Sequence, residues 1–123
     1  MIDHVSIGVR DLANAGEFYE IVLSKLGHRK LIEKPGTIGF GKKYPEFWLN
    51  HRPNRGKEPD NGMHICIRCG SAEAVTQFHE TALAAGALDA GEPGFRPQYS
   101  PGYFAAFIWD VDGNKIEAVT FVT

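Results

Sequence analysis

The sequence predicts an α+β fold built from two copies of one β-α-β-β-β module. Three pairs of identical residues lie 60 positions apart with no gap between the copies, which indicates an internal duplication: His4 and His64, Phe18 and Phe78, and Leu23 and Leu83. In both copies, apolar residues alternate with other residues from the histidine onward, as in a half-buried strand. An amphipathic helix pattern follows each of these two strands.

The size of the chain indicates one domain. With 123 residues, of which 43% are hydrophobic and 23% charged, the chain is long enough for one core and too short for two ordinary domains. We therefore expect a single domain over residues 1–123, with modules at about 1–51 and 62–123. The polar segment 52–61 contains two prolines and is predicted to be the linker between the modules.

Charge and hydropathy exclude several classes of partner. A net charge of −2, a pI of 6.2 and the absence of a basic block predict no nucleic-acid binding. No apolar run approaches the roughly 20 residues that span a bilayer, so we expect no membrane partner. The N-terminus lacks the pattern of a signal peptide, which favours a cytoplasmic location. Cys66 and Cys69 should point to opposite faces of a strand, which predicts two reduced cysteines.

In the first module, the alternation predicts a strand at about 2–9. Asp11 is the expected N-cap of a helix with apolar residues at helical spacing as far as Leu26, and Gly27 should end it. Strands are predicted near 28–33, 37–41 and 45–50.

The second module repeats this order. A strand at about 63–69 precedes a helix that Ser71 caps and Gly86 ends, and a strand follows near 87–91. Residues 91–103 are predicted to form a long loop, which is more often functional than idle in a small domain. Two last strands, 104–110 and 115–122, flank a hairpin turn at Asp112-Gly113-Asn114.

The segment from Asp110 to Val119 is similar to the Asp-Pro-x-Gly-x-x-x-Glu hairpin of the vicinal oxygen chelate superfamily, which includes glyoxalase I, extradiol dioxygenases and the bleomycin and fosfomycin resistance proteins. Ile2-Asp3-His4-Val5 and Gly62-Met63-His64-Ile65 resemble its two ligand-histidine segments. The resemblance covers essentially the whole chain. It implies that the strands of both modules curve as a mixed sheet around a cup, where His4, His64 and Glu117 bind a divalent Fe, Zn, Ni or Mn ion. Two imidazoles and one carboxylate suit such an ion.

The chain departs from both best-known enzymes of this superfamily. Glyoxalase I has a second glutamate where the duplication aligns Trp48 with Glu117, and an indole cannot bind a metal. We expect Trp48, and not Glu46 two residues earlier, to form an aromatic wall of the cup. Extradiol dioxygenases have a tyrosine where this chain has Phe107, and a histidine in a loop that here contains none. The sequence therefore leaves the acid-base residue unassigned.

Three functions follow as hypotheses. The favoured one is a metal-dependent enzyme of the glyoxalase or dioxygenase type, either a lyase similar to lactoylglutathione lyase or an extradiol-type dioxygenase, acting on a small molecule with adjacent oxygens. The alternatives are a resistance-type protein that binds a compound without turnover, and a structural or regulatory relic. Members of the superfamily are commonly dimers, which implies a homodimer. The candidate ligand-binding residues are Trp48, Tyr99, Tyr103, Phe107 and Arg68, with both tyrosines at the cup mouth.

Overall fold

The computed structural model describes all residues 1–123. Its elements, in chain order, are β1 (Val5–Val9), α1 (Leu12–Ser24), β2 (Arg29–Lys34), β3 (Thr37–Gly41), β4 (Phe47–His51), β5 (Ile65–Arg68), α2 (Ala72–Ala84), β6 (Leu88–Phe95), β7 (Tyr103–Trp109) and β8 (Lys115–Phe121). Neither helix combines the length and apolar character that a bilayer span requires.

Each module forms its own four-stranded mixed sheet. The strand orders are β1-β4-β3-β2 and β5-β8-β7-β6, so the same connectivity occurs twice. In each sheet the first strand of the module runs parallel to its last strand, and the remaining pairs are antiparallel. The predicted α+β fold with two β-α-β-β-β modules is confirmed.

Both helices begin and end at the expected residues. The carboxylate of Asp11 accepts a hydrogen bond from the backbone N–H of Asn14, and the Ser71 hydroxyl accepts one from Ala74 N–H. These bonds satisfy donors that a helix start leaves free. Gly27 and Gly86, with φ of 86° and 105°, follow the helix ends in the left-handed region that favours glycine.

One apolar core contains residues of both modules. The 20 buried residues of this cluster come from both helices and both sheets, and include Tyr19, Phe40, Leu49, Phe78, Ile108 and Ile116. Polar bonds also cross between the modules. The Tyr19 hydroxyl donates to Asp110 at 2.6 Å, and the Arg10 side chain pairs with Asp112 at 2.9 Å. Because Asp110 and Asp112 open the β7–β8 turn, this turn is anchored to the first module.

Strand β6 differs most from the prediction. It extends to Phe95, so the loop before β7 covers 96–102 and not 91–103. Two register irregularities, near Gly91 and before Gly94, accommodate the glycines and Pro93 that resemble loop residues in the sequence. The first strands of the modules start at Val5 and Ile65, so each candidate histidine immediately precedes its strand.

Candidate metal and ligand site

The pairing registers make Trp48 and Glu117 equivalent positions. Ser6 pairs with Trp48 across β1 and β4, and Cys66 pairs with Glu117 across β5 and β8. Since Ser6 and Cys66 are related by the duplication, Trp48 occupies in the first sheet the place that Glu117 occupies in the second. The predicted alignment of the two modules at this position is confirmed.

Glu117 lies at the centre of a polar cluster in the second module. The residue is only 2% exposed, and its Oε1 lies 3.0 Å from His64 Nε2. The Tyr103 hydroxyl donates a 2.5 Å hydrogen bond to Oε2. A buried carboxylate is costly unless such groups compensate its charge. In the second module, therefore, the carboxylate of Glu117 and the imidazole of His64 are in contact, as the candidate site requires.

His4 lies apart from this pair. Its Nδ1 is 2.7 Å from Asp3 Oδ1, and both side chains are exposed. No group of three histidine, cysteine, aspartate or glutamate side chains in the chain is close enough to hold a metal ion. The structure thus brings together His64 and Glu117, two of the three predicted ligands, and the convergence of all three stays a prediction.

Both candidate histidines nevertheless line one cavity of about 500 Å³ between β1 and β5. Its wall also contains candidate Arg68, whose guanidinium lies 4.5 Å from the ring centre of Phe121. The other polar groups on the wall are those of Asp3, His28, Lys42, Glu46 and Cys66. Residues from both modules therefore line this cavity.

Trp48 does not line this cavity, whereas Glu46 does. The indole packs over Gly39, where an added Cβ would lie 3.0 Å from the Trp48 ring and from Pro45. The indole can take this position because Gly39 has no side chain. The expectation that Trp48 rather than Glu46 borders the histidines has no support in this arrangement, although the strand register behind it was correct.

The remaining candidates surround the second-module pair. Phe107 is buried, with its ring centre 6.0 Å from that of His64. Tyr99, 59% exposed, lies on the 96–102 loop and packs edge-on against Tyr103 at 5.2 Å. Tyr103 itself opens β7 and reaches Glu117. The sequence signal for this contact was the alternation of β7 and β8, which puts Tyr103, Phe107 and Glu117 on one face.

Two groups beside Glu117 keep their protons at neutral pH. Burial and the Glu117 carboxylate raise the pKa of the Tyr103 hydroxyl above its ordinary value. Burial, followed by the same carboxylate, raises the pKa of the Cys66 thiol to about 12. Cys66 and Cys69 are both free thiols, as predicted. The surroundings of Glu117 therefore donate hydrogen bonds to it and add no further negative charge.

A third group with a shifted pKa lies on the wall of the cavity. Burial and the nearby Lys42 ammonium lower the pKa of His28, so its imidazole is neutral at pH 7. The Nδ1 atom of this ring is buried without a hydrogen-bond partner. Sequence reasoning missed His28, and no motif marks it.

The chemistry of the donor set fits a first-row divalent ion. Imidazole nitrogen and carboxylate oxygen are the ligand types that such ions share. An ion between His64 and Glu117 would also supply positive charge next to a carboxylate that is almost fully buried. His64 and Glu117 therefore fit the metal that the resemblance implies.

Comparisons with known proteins agree with this fold. No family model and no curated protein sequence matches the chain. A glyoxalase/bleomycin resistance protein from Albidiferax ferrireducens T118 is 29% identical over 96% of this chain and 97% of its own, with a TM-score of 0.84. A glyoxalase/bleomycin resistance protein/dioxygenase family enzyme from Burkholderia phytofirmans PsJN is 19% identical over 98% of each chain, with a TM-score of 0.74.

The fosfomycin resistance protein FosX from Listeria monocytogenes has the same fold. It is 15% identical over 99% of this chain and 93% of its own, with a TM-score of 0.73. These proteins share the paired modules, and the similarity extends over nearly the whole length of each. The chain has the fold of the vicinal oxygen chelate superfamily.

Proposed function

We propose that the chain is a metal-dependent enzyme that acts on a small molecule with adjacent oxygen atoms. The observation that carries this proposal is the cluster of His64, Glu117 and Tyr103, with an imidazole nitrogen 3.0 Å from a carboxylate that is almost fully buried. Desolvation of a carboxylate is costly, so a buried carboxylate beside a histidine that borders a cavity points to a functional site. His4, from the same cavity, is the proposed third ligand.

Each residue has a distinct role in the proposal. His64, Glu117 and His4 hold a divalent ion, which when bound polarises a substrate oxygen as a Lewis acid. Tyr103 donates to Oε2 of Glu117 and fixes the carboxylate, so that Oε1 faces His64. Phe107 and Tyr99 supply apolar contact for the body of the substrate. No residue is assigned as the acid-base group.

A solved structure with this fold supports the substrate class. One FosX structure from Listeria monocytogenes, 16% identical to this chain with a TM-score of 0.72, contains Mn(II) and dihydroxypropylphosphonic acid. That ligand has two hydroxyl groups on neighbouring carbons. Adjacent oxygens of this kind suit a metal with open coordination positions.

The second candidate function is binding without turnover. It is favoured by Phe107, which stands where a proton-exchanging tyrosine would support extradiol cleavage, and by the aromatic side chains of Tyr99 and Tyr103 near the pair. In that case the protein sequesters a compound as resistance proteins do. The two candidates share the metal and differ in whether a bond of the ligand changes.

The proposal includes a cytoplasmic homodimer. In the chain, the candidate site lacks one protein ligand, because His4 bonds Asp3 and not the His64–Glu117 pair. A rearrangement of the β1 terminus within one chain, or His4 from a second copy, completes the site. Sedimentation of the protein with and without added metal tests the homodimer.

The test begins with metal analysis of protein purified without chelator. About one Mn, Fe, Ni or Zn ion per chain or per pair of chains supports the proposal, and a protein that neither contains nor binds any of these ions contradicts it. Loaded protein is then assayed for cleavage of catechol and for conversion of a hemithioacetal. Turnover of either supports the enzyme, whereas tight binding without turnover of any tested compound supports the alternative.

A further inference from the structure

A second cavity lies beside the His64–Glu117 pair, between β1, the linker and the start of β8. It has a volume of about 380 Å³. His64 borders this cavity as well as the first, so a ligand here would also reach the candidate metal ligand. The residues that line its polar part include Ser6, Arg55, Asp60, Asn61, Asn114 and Lys115. The proposed function leaves this cavity without a role.

Lys115 is the unusual residue of the cavity. Its ammonium lies 5.3 Å from the ring centre of Trp109 and 5.4 Å from that of Phe107, so two aromatic rings hold it over the sheet. The side chain is only 24% exposed. Lys115 and Glu117 are two residues apart on β8 and share one face. The ammonium is therefore fixed next to the candidate site.

The protein leaves this ammonium almost without a counterion. Its one ion-pair partner is Asp60 on the linker, whose Oδ2 lies 3.8 Å from Nζ, too far for a hydrogen bond. Asp60 is half exposed, and its Oδ1 already accepts a bond from Gly62 N–H. A lysine ammonium has three donors, and here none of them has a protein acceptor. Lys115 lines the cavity.

Arg55 supports the same assignment. Its guanidinium donates to the Gly8 carbonyl and to Asn114 Oδ1, each at 2.6 Å, and this fixes a second cation on the cavity wall. Glu58 and Asp60, which belong to the same linker as Arg55, also border the cavity. Lys115 is the only lysine, arginine, aspartate or glutamate of the sheet that lines this cavity, and it therefore determines which charge the ligand presents to the sheet.

We propose that this cavity binds the anionic group of the ligand, a carboxylate or phosphonate, through the Lys115 ammonium, with Asp60 as the counterion that the ligand displaces. This inference rests on the proposed function and deepens it, because it assigns a charge to the substrate. The ligand would place its adjacent oxygens at His64 and Glu117 and its anionic end at Lys115.

Anion titration of the full chain tests the inference. Methylphosphonate and acetate are added to ¹⁵N-labelled protein, as purified and again with excess chelator, and amide shifts are followed. We expect saturable shifts in residues 60–64 and 113–116 with both preparations. Lys115→Gln should weaken binding about tenfold, as for loss of a charged hydrogen bond, whereas Lys115→Arg should retain it. The relative affinities of the two probes decide between phosphonate and carboxylate.

Two further variants sharpen the test. Asp60→Asn should strengthen anion binding about twofold to threefold, because it removes an exposed competitor. Lys34→Gln makes the same charge change as Lys115→Gln at an exposed position on β2 and should leave binding unchanged. If Lys115→Gln does not fold, the direction of the Asp60→Asn effect decides.

Three results overturn the inference: no binding by the wild type, equal affinity for wild type and Lys115→Gln, or an Asp60→Asn variant that binds no better. Because the titration is also done with excess chelator, it shows whether anion binding depends on metal. Failure of the inference can therefore be told from failure of the proposed function. A chain that takes up metal but binds neither probe at Lys115 contradicts only the inference. A chain that binds the probes but no metal contradicts the proposed function.

Discussion

The two modules share one connectivity and differ at the positions that bear on chemistry. The register pairs Ser6 with Trp48 in the first sheet and Cys66 with Glu117 in the second. Glu46 in the first module is likewise equivalent to Lys115 in the second. Only the second module therefore combines a buried carboxylate, an imidazole next to it and an ammonium without a hydrogen-bond acceptor. The first contributes a histidine that is exposed and bonded to its neighbour.

This difference shows that two modules can share one backbone fold and still carry chemically different side chains at equivalent positions. The fold requires apolar residues on the helix-facing side of each sheet, and both modules supply them from equivalent strands. The opposite face carries few packing requirements, so its residues are free to diverge. The duplicated histidines survive on that face, while their partners do not.

The largest expected effect comes from removing the carboxylate that only the second module has. Glu117→Gln should weaken binding of Mn(II) or Zn(II) at least about 100-fold, because it removes a charged ligand. Isothermal titration of metal into chelator-treated protein measures the change. Glu46→Gln is the matched control, since it makes the same substitution in the first module, directly before β4. Equal effects of the two substitutions would move the site to the wall of the first cavity.

The hydrogen bond from Tyr103 to Glu117 has no equivalent at Trp48. Tyr103→Phe should lower the free energy of unfolding by about 1–3 kcal/mol, because a buried carboxylate oxygen loses its donor. Urea denaturation measures it. Tyr99→Phe is the control, because this exposed hydroxyl has no bond to Glu117, and it should change stability by less than about 0.5 kcal/mol. If both variants also keep full ligand binding, the two hydroxyls are packing residues only.

Restoring a carboxylate in the first module should reduce the asymmetry. Trp48→Glu puts a potential ligand at the position equivalent to Glu117, and we expect metal affinity to rise about tenfold. Trp48→Gln removes the indole without adding charge and should give no such gain. The same metal titration measures both. An unchanged affinity in the glutamate variant means that the packing over Gly39 holds position 48 away from the site.

A smaller effect concerns alkaline pH. Burial and Asp110 raise the pKa of Tyr19 well above its ordinary value, and burial and Glu117 raise that of Tyr103. The folded state thus holds these protons more tightly than the unfolded chain. Their contribution to stability is complete below pH 10, the ordinary tyrosine pKa, and is lost as the pH rises above it.

The melting temperature should therefore fall between pH 9 and pH 11. Tyr19→Phe should have a lower melting temperature than the wild type at pH 9. Its melting temperature should fall less than that of the wild type between pH 9 and pH 11. Tyr44→Phe, at an exposed ring, should follow the wild type. A wild-type melting temperature that stays constant over this interval would contradict the assigned hydrogen bonds.

Local sequence signals were sufficient for the fold. Asp11 and Ser71 cap the helices as their side chains predict, and aligning the last strands of the two modules gave the equivalence of Trp48 and Glu117. Strand β6 was predicted too short, because Gly91, Pro93 and Gly94 resemble loop residues and only pairing with β7 keeps them in a strand. The strand propensity of a residue is a local property, whereas the pairing that forms a strand also depends on the neighbouring strand.

The site was less predictable for a related reason. Alternation indicates which side chains share a face, but not which of them touch. Tyr103 reaches Glu117 from the start of β7, and the sequence placed it on a loop. His4 turns to Asp3, its own neighbour, and Trp48 lies on Gly39 because that residue has no side chain. These side-chain contacts depend on packing in three dimensions, which the spacing of residues in the sequence does not reveal.

The shared core has a consequence for how such a protein diversifies. If each module were a separate chain, a symmetric pair of them would carry the same residue at both equivalent positions, and every substitution would appear twice. Joining the copies through residues 52–61 removes that constraint. One copy is then free to keep the carboxylate at Glu117 while the other exchanges it for Trp48. The bond from Tyr19 to Asp110 keeps the copies interdependent in stability even as their chemistry separates.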